Sequence, residues 1–308
     1  MSLQLSKEAA YEKAASSIRE QKILIVCDRG ALDSKAYMSD KEFASVLAAS
    51  GVNEVNLRDD YDAVFHLVTA AKGSREFYTL KNNPARTESP EKAAALDDKI
   101  IHAWTGHPHL RIIDNSTDFE GKLKRLLHEI SIFLGEPEPF EIEKKFLIEY
   151  PDLLILTSMP NCTHVEIIQT YLINPDEHTE SRIRQRGTDG NYIYVRTDKR
   201  SVSDIKRIET ENRISKDEYL ALLMNADTAR KQIRKTRYLV AYGTAYLEID
   251  VYPFSNSKAI LEIELSDESQ EFTFPPFLKM VKEVTTDERF KNYSLSKGIP
   301  IEFSATTN

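Results

Sequence analysis

Charged residues two apart recur through the second half of the chain, beginning with Glu141-x-Glu143-x-Lys145. Side chains alternate between faces along a strand, so these three share one face. Two carboxylates and an ammonium placed this way are costly to bury unless they meet ligands or opposite charge. The pattern repeats downstream. Arg182, Arg184 and Arg186 share a face, as do Arg207, Glu209, Glu211 and Arg213, then Lys235 with Arg237. Glu248 and Asp250 oppose Leu247, Ile249 and Val251, and Glu262 and Glu264 oppose Leu261, Ile263 and Leu265. Arginine forks match phosphate oxygens in pairs. Carboxylates suit Mg²⁺ or Mn²⁺, hard cations that also bridge to substrate phosphates. The combination reads as a site for a polyphosphate held by cations, with metals held by acids. No His or Cys cluster competes for zinc.

Eight strands would position these residues, at 141–148, 165–173, 181–186, 191–199, 206–214, 232–240, 245–252 and 258–265. A helix over 216–224 interrupts them, with Ser215 and Glu218 at capping-box spacing. A half-buried, solvated sheet also alternates, and that accounts for any single strand. It does not account for the segregation of sign, with acids on strands one, seven and eight and guanidiniums on strands three to six. Closing the sheet with its charged face inward gives a polar interior that only ions and water fill. The fourth strand is ambiguous. Ile193 and Val195 pack one way while Tyr194 and Arg196 point the other, and strict alternation puts Lys199 with the apolar set. Lys199 joins the charged face only through a bulge or strand end, so Arg196 and Lys199 both stay candidates.

With 308 residues, 41% hydrophobic and 29% charged, the chain has the composition of a soluble globular protein of two domains. The first residues lack the regions of a signal peptide, and no apolar run reaches membrane-spanning length. Cys27 and Cys162 have no metal spacing, which fits a reducing cytoplasm. A net charge of −8 argues against a general nucleic-acid binder. Residues 5–20 have helical periodicity. Ile23–Cys27 reads as a buried parallel strand ending at Asp28-Arg29-Gly30, and 62–68 and 111–115 as two further strands, closed by a helix over 119–134. His107 and His109 read as loop-packing residues rather than metal ligands. A Pro/Gly/Glu linker, Gly135-Glu136-Pro137-Glu138-Pro139, separates the halves.

From residue 139 to 298 the chain resembles the CYTH family, the triphosphate tunnel metalloenzymes. The motifs that carry this are Glu141-x-Glu143-x-Lys145, Gln169-x-Tyr171-Leu172, Arg182-x-Arg184, Glu209-x-Glu211, Lys235-x-Arg237 and Glu262-x-Glu264. The resemblance implies that Glu141, Glu143, Glu262 and Glu264 hold Mg²⁺ or Mn²⁺, with Glu211 and Asp250 as helpers. Lys145, Arg182, Arg184, Lys199 (or Arg196) and Arg237 would grip the triphosphate. Lys235 with Tyr171 would orient or deprotonate the attacking water, and the stretch 283–292 would close the tunnel end.

The first half resembles part of a P-loop nucleotide-kinase-like domain, with Asp28 and Arg29 at a strand end, Arg86 in a lid and Asp114-Asn115 near a base pocket. It has no Gly-x-x-x-x-Gly-Lys-Ser/Thr, hence no cradle of amides for phosphates. The expectation is an α+β chain: a truncated α/β segment at 1–135 beginning mid-domain, a linker at 136–139, and an eight-stranded antiparallel β-tunnel with flanking helices at 140–303. Its function would be metal-dependent hydrolysis of inorganic triphosphate or a triphosphorylated compound, with ATP cyclisation or non-catalytic polyphosphate binding as the alternatives.

Overall fold

A computed structural model describes residues 1–18, 23–75, 88–135, 142–174, 179–201, 207–265, 270 and 272–303. The N-terminal segment carries helices α1 (Ser2–Ala15), α2 (Asp40–Ser50), α3 (Glu54–Asp59), α4 (Pro90–Trp104) and α5 (Phe119–Phe133). Polar caps set the starts of α2 to α5. The Ser39 hydroxyl accepts from the Glu42 amide while the Glu42 carboxylate accepts from the Ser39 amide, and Ser89 and Asp118 cap α4 and α5. Strands β1 (Val64–Leu67) and β2 (Leu110–Ile113) pair in parallel, Val64 opposite Leu110.

The expected strand at Ile23–Cys27 does not form: the run is irregular and solvent-facing, with Val26 75% exposed. Among the described residues the parallel sheet has only β1 and β2, so this apolar run finds no ladder to join. Asp28 and Arg29 therefore end no strand, and Arg86 lies outside the described residues. Asp114 and Asn115 follow β2 and line a cavity of about 500 Å³. There the Asn115 amide donates to the carbonyls of Thr69 and Lys72, which makes it a loop clamp.

The second half forms a mixed sheet-and-helix body around one antiparallel sheet. Its strands are β3 (Ile142–Glu149), β4 (Cys162–Tyr171), β5 (Thr179–Thr188), β6 (Asn191–Ser201), β7 (Arg207–Ile214), β8 (Ile233–Tyr242), β9 (Ala245–Val251), β10 (Lys258–Leu265) and β11 (Met280–Glu283). Their order is β11-β3-β10-β9-β8-β4-β5-β6-β7. All eight expected strands are present. A ninth, β11, adds beside β3, and among the described residues no ladder joins β11 to β7, so hydrogen bonding does not close the sheet. Short helices α6 (Leu153–Ser158), α7 (Lys216–Leu222, with the Ser215/Glu218 capping box formed) and α8 (Asn292–Leu295) flank it.

One sheet face is apolar over much of its area: Phe146, Ile148, Val240, Leu247, Ile249, Leu261 and Ile263 pack with Leu156, Phe272 and Phe274. The other face carries two apolar belts. Val165, Ile167, Leu239, Ala241 and Tyr246 share a core with Leu57, Ile101, Trp104 and Leu110 of the N-terminal segment. At the opposite end Leu147, Tyr171, Ile233, Tyr252 and Ile260 pack under Val284, Phe290, Leu295 and Phe303. The charged residues lie between these belts.

Candidate functional site

Register partners across a ladder share a face, and they place the charged residues in one diagonal band. Glu143 faces Glu264 and Lys145 faces Glu262 between β3 and β10. Glu262 faces Glu248 on β9, and Asp250 faces Arg237 on β8. Lys235 faces Ile167 on β4, Gln169 faces Arg184 on β5, and Arg182 faces Thr197, itself opposite Glu211 on β7. The band steps across eight strands while the belts step with it, as strand stagger requires in a curled sheet.

The curl has an electrostatic signature. On a flat sheet β7 and β10 would stand six strand spacings apart, about 29 Å at ~4.8 Å each. Yet the carboxylates of Glu264 (β10), Glu211 (β7) and Glu248 (β9) all act on the half-buried His109 ring, whose pKa burial pulls down.

At the centre, three cations and three carboxylates neutralise one another. Arg237 binds Asp250 through Nε (2.6 Å) and Nη2 (2.7 Å), Glu262 through Nη2 (2.5 Å), and Glu248. Lys235 pairs with Asp250, and the Lys145 Nζ lies 2.7 Å from Glu262. Burial pushes Glu262 up, but Lys145, then Arg237 and Lys235, pull its pKa well below the usual carboxylate range. Burial and the neighbouring Arg237 lower the pKa of Lys235, with Asp250 opposing them.

Arg184 differs. Its Nε is shut off from solvent and meets no hydrogen-bond acceptor. Burial, then the repulsion of Arg182, draws its pKa from 12.5 down to about 10. A guanidinium is almost never left this way without an anion to meet it.

Asp250 and Glu262, expected to hold metal, pair with Lys235, Arg237 and Lys145, and Glu211 accepts from the Thr197 hydroxyl at 3.1 Å. Among the described residues no group of three His, Cys, Asp or Glu is set to hold a metal. Magnesium needs no such cage, since one or two carboxylates, waters and substrate phosphates suffice. The facing pair Glu143 and Glu264 fits that requirement; Glu141 lies outside the described residues.

Arg196 falls on the opposite face, level with Ile183, where its Nε donates to Asp198 at 2.8 Å. Lys199 needs no bulge to share the face of Arg182 and Arg184, because Ile193 and Val195 point that way too. Tyr171 and Lys235 start from backbone positions well apart: Lys235 faces Ile167, four residues and roughly 13 Å along the strand from Tyr171 at ~3.3 Å per residue. The Tyr171 hydroxyl accepts from Gln169 at 2.6 Å, and burial pushes its pKa up.

Sequence reasoning missed what the N-terminal segment contributes. Asp59 of α3 is sandwiched between Arg58 (2.7 Å) and Arg186 (2.5 Å), all three buried. Arg186 also donates to the Gly106 carbonyl, Arg213 meets Asp60, and Arg111 of β2 meets Glu264. His107 is wholly buried, its Nε2 donating to the Tyr61 carbonyl (2.7 Å) and its Nδ1 accepting from the His109 amide (3.0 Å), a packing role as expected. Within the band Glu143 of β3 and Glu211 of β7 are exposed. No described helix is long and apolar enough to cross a membrane.

A CYTH domain model matches residues 139–290, and an AAA domain model matches residues 2–122. The inorganic triphosphatase of Nitrosomonas europaea is 34% identical over 165 residues, covering 52% of this chain and 99% of that protein. Among solved structures, one described as an inorganic triphosphatase is 30% identical and covers 52% of this chain and 97% of its own, with a TM-score of 0.37. A protein from Pyrococcus horikoshii is 21% identical, covering 42% and 80% respectively, with a TM-score of 0.33.

Proposed function

The chain belongs to the CYTH family, and from that premise we propose that it hydrolyses inorganic triphosphate or a triphosphorylated organic compound with the help of Mg²⁺ or Mn²⁺. The observation that carries this reading is Arg184, a guanidinium inside the band whose Nε has no acceptor. Arg182 and Lys199 lie on the same face and complete a cationic wall for phosphate oxygens. Across the band, Lys145 and Arg237 would remain tied to their acids and contribute positive potential at the substrate. Glu143 and Glu264, with Glu141, would hold the divalent ion, which when bound neutralises phosphate charge and polarises the phosphoryl group. Lys235, with its lowered pKa and its tether to Asp250, would orient the attacking water. Tyr171 keeps its proton and would serve as a wall and donor. The similarity to the Nitrosomonas protein favours inorganic triphosphate as substrate.

The test is phosphate release from the purified chain. Inorganic triphosphate, ATP and pyrophosphate are offered separately with Mg²⁺, Mn²⁺ or EDTA, beside Glu143→Ala. Metal-dependent release that the variant loses is the expected result. No release from any substrate, with triphosphate still raising the melting temperature, would make the chain a binding protein instead.

A further inference from the structure

Glu143 and Glu264 are like charges at facing register positions, an arrangement that destabilises a sheet unless a cation sits with it. The N-terminal segment provides one. Arg111, on β2, pairs through Nη2 with Glu264 and lies 3.5 Å through Nε from Glu129 of α5. The side chain is largely buried, and Glu129 is its second acidic partner. Lys145, 3.7 Å from Glu143, is a second cation at the pair and is shared with Glu262.

We propose that Arg111 is a specificity-determining residue of the phosphate site, making the Glu143/Glu264 pair accept a divalent cation as a metal–polyphosphate complex rather than as the free ion. This rests on the reading of the site given above. A bare divalent ion approaching Glu264 meets a guanidinium already seated there and is repelled by it. A metal ion carrying a polyphosphate is net anionic, so Arg111, Arg182 and Arg184 attract the complex while its phosphates supply the oxygens that Glu264 does not. The N-terminal segment thereby acts on the chemistry of the sheet and does more than cover its end.

The experiment titrates free Mn²⁺ into the full chain, read by electron paramagnetic resonance, for wild type, Arg111→Gln, Glu129→Gln and Glu264→Gln. Arg111→Gln should tighten free Mn²⁺ binding by about tenfold, the effect of removing one adjacent charge, while raising KM for Mn²⁺–tripolyphosphate. Glu129→Gln leaves Arg111 to Glu264 alone and should weaken free Mn²⁺ binding, which keeps the proposal testable if Arg111→Gln does not fold. A residue that merely ties the two halves together would lower the melting temperature and leave Mn²⁺ affinity where it was. That result, with binding still lost in Glu264→Gln, overturns the proposal and spares the site reading. Mn²⁺ binding undisturbed in Glu264→Gln overturns both.

Discussion

Arg184→Met should make the protein more stable and less able to bind triphosphate. In the folded chain the Arg184 pKa falls from 12.5 to about 10, through burial and then Arg182. For a base whose folded pKa is depressed, the unfolded chain binds the extra proton between those values, so folding at neutral pH carries the full cost of the charge. At ~1.36 kcal/mol per pKa unit this is on the order of 3 kcal/mol, and the half-buried state of the residue reduces it to about 2. Methionine keeps the stem and removes the charge. Urea unfolding at neutral pH should show a gain of about 1–2 kcal/mol in the absence of polyanion. Added tripolyphosphate should stabilise wild type in proportion to the logarithm of its concentration over Kd, and the variant far less. In turnover, KM should rise and kcat fall together. A variant less stable than wild type without anion would show that Arg184 is already satisfied, and the inference of a phosphate at that guanidinium would be wrong.

Three further outcomes follow, two from the contacts at the covered end and one from the charged centre. Asp59→Ala strands Arg58 and Arg186, both buried, and should cost about 3–5 kcal/mol in urea unfolding; a loss under about 1 kcal/mol would mean that water reaches the cluster. His107 is held neutral, its pKa lowered by burial from 6.5 to about 3. The unfolded chain therefore takes up the proton first, and stability is full above pH 6.5 and falls as pH drops through that window. Between pH 7 and 5 the loss should be about 2 kcal/mol, and His107→Gln, which keeps a donor and an acceptor, should flatten it; equal slopes would exclude His107 as the cause. Removal of metal with EDTA should abolish phosphate release and leave the unfolding curve little changed, since Lys145, Lys235 and Arg237 already neutralise the central acids.

Alternation alone revealed the eight strands and the sorting of cations from acids, because a period of two is imposed by the backbone. It misjudged β6 for a physical reason. Strict alternation sets Lys199 with Ile193 and Val195 and leaves Arg196 a candidate for the charged face, but Ile193 and Val195 point inward against Val55 of α3, at the apolar belt beneath the N-terminal segment. An interior with apolar belts breaks the equation of apolar with outward, and Arg196 was misplaced with it. The run Ile23–Cys27 failed differently: its apolarity is real, but strand formation depends on a neighbour that composition does not report. Arg111 and Asp59 were illegible because their partners, Glu264 and Arg186, lie more than a hundred residues away in sequence. Glu248 was legible as a face residue, and only Arg237 reveals its role.

The core shared by the two halves has a consequence for synthesis. The Tyr246 hydroxyl accepts from the Gly106 amide, 140 residues earlier, and the same core encloses Trp104 and Leu110. At roughly 5–20 residues per second, a ribosome needs about 7–28 s after Gly106 to deliver Tyr246. Throughout that interval the nascent N-terminal segment shows an apolar surface whose lid has not yet been made. The chain is thus a natural client for chaperones during translation, and slowing elongation between residues 110 and 246 should lower its soluble yield.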